Sequence, residues 1–266
     1  MSEENDIQTI NSALQDSAPE VAVAPDGRVT LIRGLCKTVD GVETWHTEAV
    51  VRELTGADEE YLSSVANRKN ATYSEYMTAI LSSAVVSIGD IEIKKNNALV
   101  DKLILADRDV LYLAILRVTY GVRRSLKVPC VSCSEKNEVI INLDTDFDFK
   151  DPEFDVRVGI PVTTSNGTVT LRVPTGEDTT AIAKHSGNEA ELNTLMLSRC
   201  AVFSADEAPT NRTEWARSLN ISDRRILTSA LADLEIGPIM GEVDTQCAYC
   251  EANLPVMLDW VSLLLG

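Results

Sequence analysis

The chain has 266 residues, of which 44% belong to the hydrophobic class and 24% are charged. At roughly 100–200 residues per domain this is one large domain or two small ones, and the composition excludes fibrous, collagen-like and wholly disordered chains. Lys and Arg number 24 against 41 Asp and Glu, a formal net charge of −17; so acidic a body repels phosphate backbones and anionic lipid headgroups, which argues against nucleic-acid or membrane-surface binding as its task.

Residues 1–19 are small, polar and acidic and read as a mobile arm. The start Met-Ser-Glu-Glu-Asn-Asp has neither the basic beginning nor the apolar core of a secretory signal. The expectation is folding in a host cytoplasm, where the six cysteines stay reduced. Val21–Ala24, then Pro25-Asp26-Gly27, then Val29–Ile32 reads as strand, turn, strand. A second strand pair is expected across Val39-Asp40-Gly41, returning through Thr47–Val51. Thr55 precedes Asp58 at the spacing of a capping box and marks a helix start, with Glu59 and Glu60 placed against the positive end of the helix dipole. A later helix carries Val110, Leu111, Leu113, Ala114 and Leu116, and Gly121 stands where a left-handed stop would sit. A strand bearing Cys130-Val131-Ser132-Cys133 follows. Residues 144–155, Asp-Thr-Asp-Phe-Asp-Phe-Lys-Asp-Pro-Glu-Phe-Asp, break all periodicity and read as a solvated acidic linker.

Beyond residue 155 the same order recurs. Arg52–Asp58 returns as Arg172–Asp178, Thr78–Val86 as Thr194–Val202, Leu105–Leu111 as Ile221–Leu227, Gly121 as Gly237 and Cys130–Cys133 as Cys247–Cys250. Asp107 and Asp223 lie 116 apart, Cys130 and Cys247 117, Thr55 and Thr175 120. Five matches in one order at nearly one offset point to a tandem duplication. The expected fold is α+β: a hairpin, helices and a CxxC strand, built twice. The expected units are a first repeat over 20–143, the linker over 144–155 and a second repeat over 156–266, the last ending in the apolar segment Leu254–Leu265. That segment is shorter than the ~20 residues of a membrane span and contains Asp259.

The two CxxC pairs carry the strongest chemical signal. Two thiolates two residues apart grip one tetrahedral metal from a tight turn, and two such pairs complete a Cys₄ structural zinc site. Cys130, Cys133, Cys247 and Cys250 are therefore the expected ligands of one zinc per chain. The separation between the pairs is far longer than in a compact zinc ribbon, but packing of the duplicated halves brings matched turns together. A redox CxxC normally opens a helix in a thioredoxin-like setting, which neither pair has. Ser134 and Glu251 follow the second cysteines, where a knuckle often has Gly. Cys200 lies in an apolar segment and reads as core, and Cys36 has no CxxC partner.

Asp107-Arg108 and Asp223-Arg224 read as helix-start acids and interface arginines rather than catalytic pairs. His46 and His185 have no evident partner arrangement. The chain has no GxSxG, GxxxxGK[ST], HExxH or GxGxxG motif. No catalytic residue, small-molecule substrate or cofactor other than zinc is expected.

Arg52-Glu53-Leu54-Thr55-Gly56-Ala57-Asp58-Glu59-Glu60, Leu105–Ala114, Arg117-Val118-Thr119-Tyr120-Gly121 and Val128–Cys133 together resemble the T4-type bacteriophage baseplate protein family. That family's pattern is an RxLTGxEE element, a DRxxLLxxxR…YG helix and a CPxCG knuckle, echoed toward the C-terminus. The resemblance covers residues 50–260; the family's early Leu-Pro-Ser-Arg-Gly element is absent, with Ala24-Pro25-Asp26-Gly27 in its place. It implies a non-enzymatic structural component of a contractile-tailed phage baseplate, at or near the hub, located in the virion tail and assembled in the host cytoplasm. Its implied partners are other tail and baseplate proteins. The alternative is a tail-assembly chaperone absent from the mature virion; a zinc-containing regulatory or nucleic-acid-binding module is a third reading, opposed by the charge.

Overall fold

The computed structural model describes residues 26–239, 241–258, 260 and 263. The arm over 1–19 and the strand Val21–Ala24 lie outside the described residues. Strand β1 (Arg28–Val39) pairs antiparallel with β2 (Val42–Val51), and Asp40 (φ 50°) and Gly41 (φ 80°) make the turn. Two positive φ values give a hairpin turn whose twist matches its strands. The β1–β2 register shifts between Thr30 and Leu35, and Gly34 (φ 73°) lies in that bulge. A Cβ there would stand 1.9 Å from the His46 carbonyl oxygen, so the close approach requires glycine. Strands β3 (Val85–Ile88) and β4 (Ile91–Glu92) extend the sheet in the order β1-β2-β3-β4.

Helix α1 (Gly56–Ala66) starts at the Thr55/Asp58 capping box, and α2 (Tyr73–Ala84) at a second one formed by Thr72 and Glu75. Short α3 (Asn97–Asp101) precedes α4 (Leu105–Tyr120), whose Leu111, Tyr112, Ile115 and Leu116 are fully buried. Gly121 (φ 84°) stops α4, as its position predicts. Strands β5 (Arg123–Pro129) and β6 (Lys136–Asn142) form a hairpin. The main core gathers Leu81, Ile88, Ile115 and Leu116 with Leu126, Val139 and Ile141 of that hairpin.

Residues 144–155 are mostly exposed but carry a short strand and two packed phenylalanines. Strand β7 (Asp148–Lys150) pairs with β11 (Gly237–Ile239), and Phe147 and Phe154 pack on two separate apolar clusters while Phe149 stays exposed.

The second half again opens with a hairpin, β8 (Ile160–Thr164) and β9 (Gly167–Leu171). Helices α5 (Gly176–Ala183) and α6 (Glu189–Cys200) follow, each with a capping box, then β10 (Ala201–Val202), α7 (Arg212–Ser218) and α8 (Ile221–Ala232). Its own small core is Leu171, Leu197, Ala201, Ala216 and Leu227. Ile226 on α8 is exposed, and Gly237, the counterpart of Gly121, opens β11 rather than stopping the helix. Strands β12 (Glu242–Gln246) and β13 (Asn253–Met257) form the last hairpin. The molecule is thus a mixed fold of helices and antiparallel strands with repeated hairpin–helix units. No helix among the described residues is long and apolar enough to cross a membrane.

The units also share side-chain devices. Arg52 donates to Asp58 at 2.7 Å and to the Ser83 carbonyl; Arg172 donates to Asp178 at 2.7 Å and to the Arg199 carbonyl. Asp107 accepts the backbone N–H groups of Ile32, Arg33 and Gly34 in the β1 bulge, at 2.6, 3.2 and 2.8 Å. Asp223 accepts the Ser165 N–H at 2.8 Å in the β8–β9 turn. In the first half the hairpin runs on past the point that this aspartate holds; in the second it turns back there.

The halves join edge to edge. The Leu105 N–H donates to the Pro174 carbonyl at 3.2 Å and the Gly176 N–H to the Leu103 carbonyl at 3.1 Å. Ser74 bonds Thr180 at 2.8 Å, and Lys184 pairs with Glu75 at 2.9 Å.

Candidate metal centre

Each CxxC forms the tip of a two-stranded hairpin. The Cys130 N–H donates to the Glu135 carbonyl and the Ser134 N–H to the Cys130 carbonyl, at 2.9 and 2.8 Å. The other knuckle repeats this: Cys247 N–H to Ala252, and Glu251 N–H to Cys247, both at 2.9 Å. The chain after the second cysteine must turn left-handed, and Ser134 (φ 64°) and Glu251 (φ 58°) do so without glycine. That is the physical reason for the glycine that such knuckles often carry.

The four predicted cysteines converge. Cys130 Sγ lies 3.7 Å from Cys250 Sγ, Cys133 Sγ lies 3.6 Å from Cys247 Sγ, and all four sulfurs fall within 4.8 Å of one another. A tetrahedral ion with metal–sulfur bonds of ~2.3 Å requires sulfur–sulfur edges of ~3.8 Å. The donor set and its spacing therefore fit a closed structural site for a soft or borderline divalent ion. Such an ion would cross-link the two knuckles and compensate their thiolate charge.

Polar neighbours prepare the sulfurs. Burial pushes the Cys247 thiol up, but the N–H groups of Tyr249 and Cys250 and the Asn137 amide outweigh it and bring the thiol down to about 6. At Cys133 a backbone donor at Glu135 favours the thiolate, yet burial and the surrounding sulfurs push the thiol up to about 12. Four thiolates this close repel one another unless a cation lies among them. Buried Asn137 bridges the knuckles: its Nδ2 donates to Cys247 Sγ at 3.4 Å, and its Oδ1 accepts the Ala248 N–H at 2.9 Å. Nothing in the sequence singles out Asn137, because its partners on the other knuckle lie more than a hundred residues away.

The other residues of chemical interest lie elsewhere. Asp107 and Asp223 hold hairpin backbone, as described. Arg108 donates to Asp101 at 3.0 Å and to Thr78 at 2.9 Å. Arg224 repeats the second contact on Thr194 at 2.8 Å. His46 does have a partner: its Nε2 lies 3.1 Å from Asp90 Oδ1 on the exposed β3–β4 turn. Cys200 is buried, and burial pushes its thiol up to about 12, as suits an inert core residue.

No curated protein and no solved structure matches this chain. A family model described as T4 bacteriophage base plate protein matches residues 37–250.

Proposed function

The chain belongs to the T4 bacteriophage base plate protein family, and from that premise we propose that it is a hub or hub-proximal structural component of a contractile-tail baseplate. Family membership makes it a non-enzymatic phage protein whose partners are other baseplate or tail components. In our reading it docks them on a rigid double unit, a tandem duplication whose halves share one zinc held by Cys130, Cys133, Cys247 and Cys250. Assembly takes place in the host cytoplasm and the product stays in the virion tail. The observation that supports this most is that the matched region ends at Cys250, so it spans both hairpin–helix units and both knuckles. The closed donor set adds support, because such a centre fixes shape and leaves no open coordination position for a substrate.

Native mass spectrometry before and after chelation tests the centre. One zinc per chain, lost together with compactness, is the expected result; reduced, metal-free, equally compact protein would remove zinc from this reading. Mass spectrometry of purified particles tests the place of action. Peptides of this chain in mature virions are expected; a chain confined to assembly intermediates would make it a chaperone instead.

A further inference from the structure

Four of the buried carboxylates in this fold are saturated with donors: Asp58, Asp107, Asp178 and Asp223. Half-buried Asp109 has no such donors. It stands on α4, where the first half meets the second, and faces a cleft of about 350 Å³. The walls are apolar: Leu105 on its own helix, Val173 and Pro174 at the junction, and Leu234, Ile236 and Pro238 after α8. Glu235 adds a second, exposed carboxylate. Among the described residues Asp109 has no hydrogen-bond or ion-pair partner. The neighbouring Arg108 is directed away, to Val100, Asp101 and Thr78. Burial raises the Asp109 carboxyl to about 7.

A carboxylate against apolar walls is unfavourable unless a cation meets it. The complementary ligand brings an apolar stem and a positive head, and lysine and arginine side chains have that build. We propose that this cleft receives a lysine or arginine side chain of a partner protein, the stem lying along Leu234, Ile236 and Pro238 and the charged head on Asp109. The volume accommodates one such side chain, and the acidic chain attracts basic partners toward it. That the partner is a tail protein rests on the function proposed above; the site itself does not.

The test uses n-butylguanidinium and its uncharged isostere n-butylurea, titrated into the isolated full-length chain at physiological salt and followed by amide NMR shifts. The guanidinium should perturb residues around Asp109, Leu234 and Ile236 and bind about five-fold or more tightly than the urea. Asp109→Asn keeps the shape, removes the charge and should abolish that preference, whereas Glu235→Gln should retain most of it. Equal binding of the two probes, an unchanged preference in Asp109→Asn, or shifts only at other acidic surfaces would overturn the site. Wild-type discrimination between the probes suffices even if the variant folds poorly. A negative result removes the cleft and leaves the proposed baseplate role standing, since no baseplate protein enters the measurement.

Discussion

Three buried aspartates held below their ordinary range, Asp58, Asp178 and Asp223, shape the response of this fold to acid. Asp58 is held well below the ordinary carboxylate range, first by the Arg52 guanidinium and then by the Thr55 N–H and hydroxyl. Burial pushes Asp178 up, but hydrogen bonds from Arg172, Thr175 and Arg199 outweigh it and leave the group lowered. A carboxylate whose folded pKa lies below its unfolded value of ~3.9 stabilises the fold fully above that value, and the stabilisation disappears as pH falls through the folded pKa. Asp107 runs the other way, raised by burial despite its three N–H donors, so it adds nothing to the acid limb. Unfolding free energy, measured by denaturant titration, should therefore fall steeply from about pH 4 downward, and Asp178→Asn should flatten that fall. At neutral pH, Asp178→Ala leaves Arg172 and Arg199 without their shared partner and should cost roughly 3–5 kcal/mol. A loss under 1 kcal/mol would show that these arginines find other partners.

The matched helices α1 and α5 share a start but not an environment, and their first residues separate the two. Gly56 has open space where a Cβ would stand, whereas a Cβ on Gly176 would lie 2.2 Å from Arg108 Nη1. Gly56→Ala should leave the melting midpoint nearly unchanged, within about 0.5 kcal/mol, while Gly176→Ala should cost roughly 1–3 kcal/mol as Arg108 is displaced from the junction. Equal effects would mean that Arg108 swings aside freely. The helix starts were legible in the sequence because a capping box is complete within four residues, and the turn at Asp40-Gly41 because two residues decide it. The bulge at Gly34 was not, since the carboxylate that holds it lies 73 residues on. The knuckles were legible as a candidate ligand set from their local spacing. Which sulfurs would face each other, and the Asn137 bridge between them, depend on contacts 110 or more residues apart. The strand within 144–155 was not legible for the same reason: β7 finds its partner only in β11.

Across the whole molecule, the junction is used once and its two outer counterparts are left free. Val173, Ile104 and Ala106 are buried where the halves meet, whereas the matched positions Glu53, Asn220 and Ser222 are exposed and polar. In the duplication proposed above, this is how a repeat array ends, with polar groups on the faces that would otherwise accept another unit. The combined variant Glu53→Val, Asn220→Ile, Ser222→Ala should associate head to tail in sedimentation velocity, at concentrations where the wild type does not; no added association would show that polarity is not what ends the array. The last hairpin is the opposite case, because it crosses the boundary. Leu254, Val256 and Leu258, within or next to β13, belong to the same core as Leu126, Val139 and Ile141 of β5 and β6, and Trp260 packs edge-on to Tyr112 with ring centroids 5.3 Å apart. A growing chain emerging from the ribosome must therefore carry its first half with part of the apolar interior uncovered until residues near 250 have been made. Folding of that half is timed by synthesis of the last hairpin, and a chain released before it would leave its earliest core exposed and liable to aggregate.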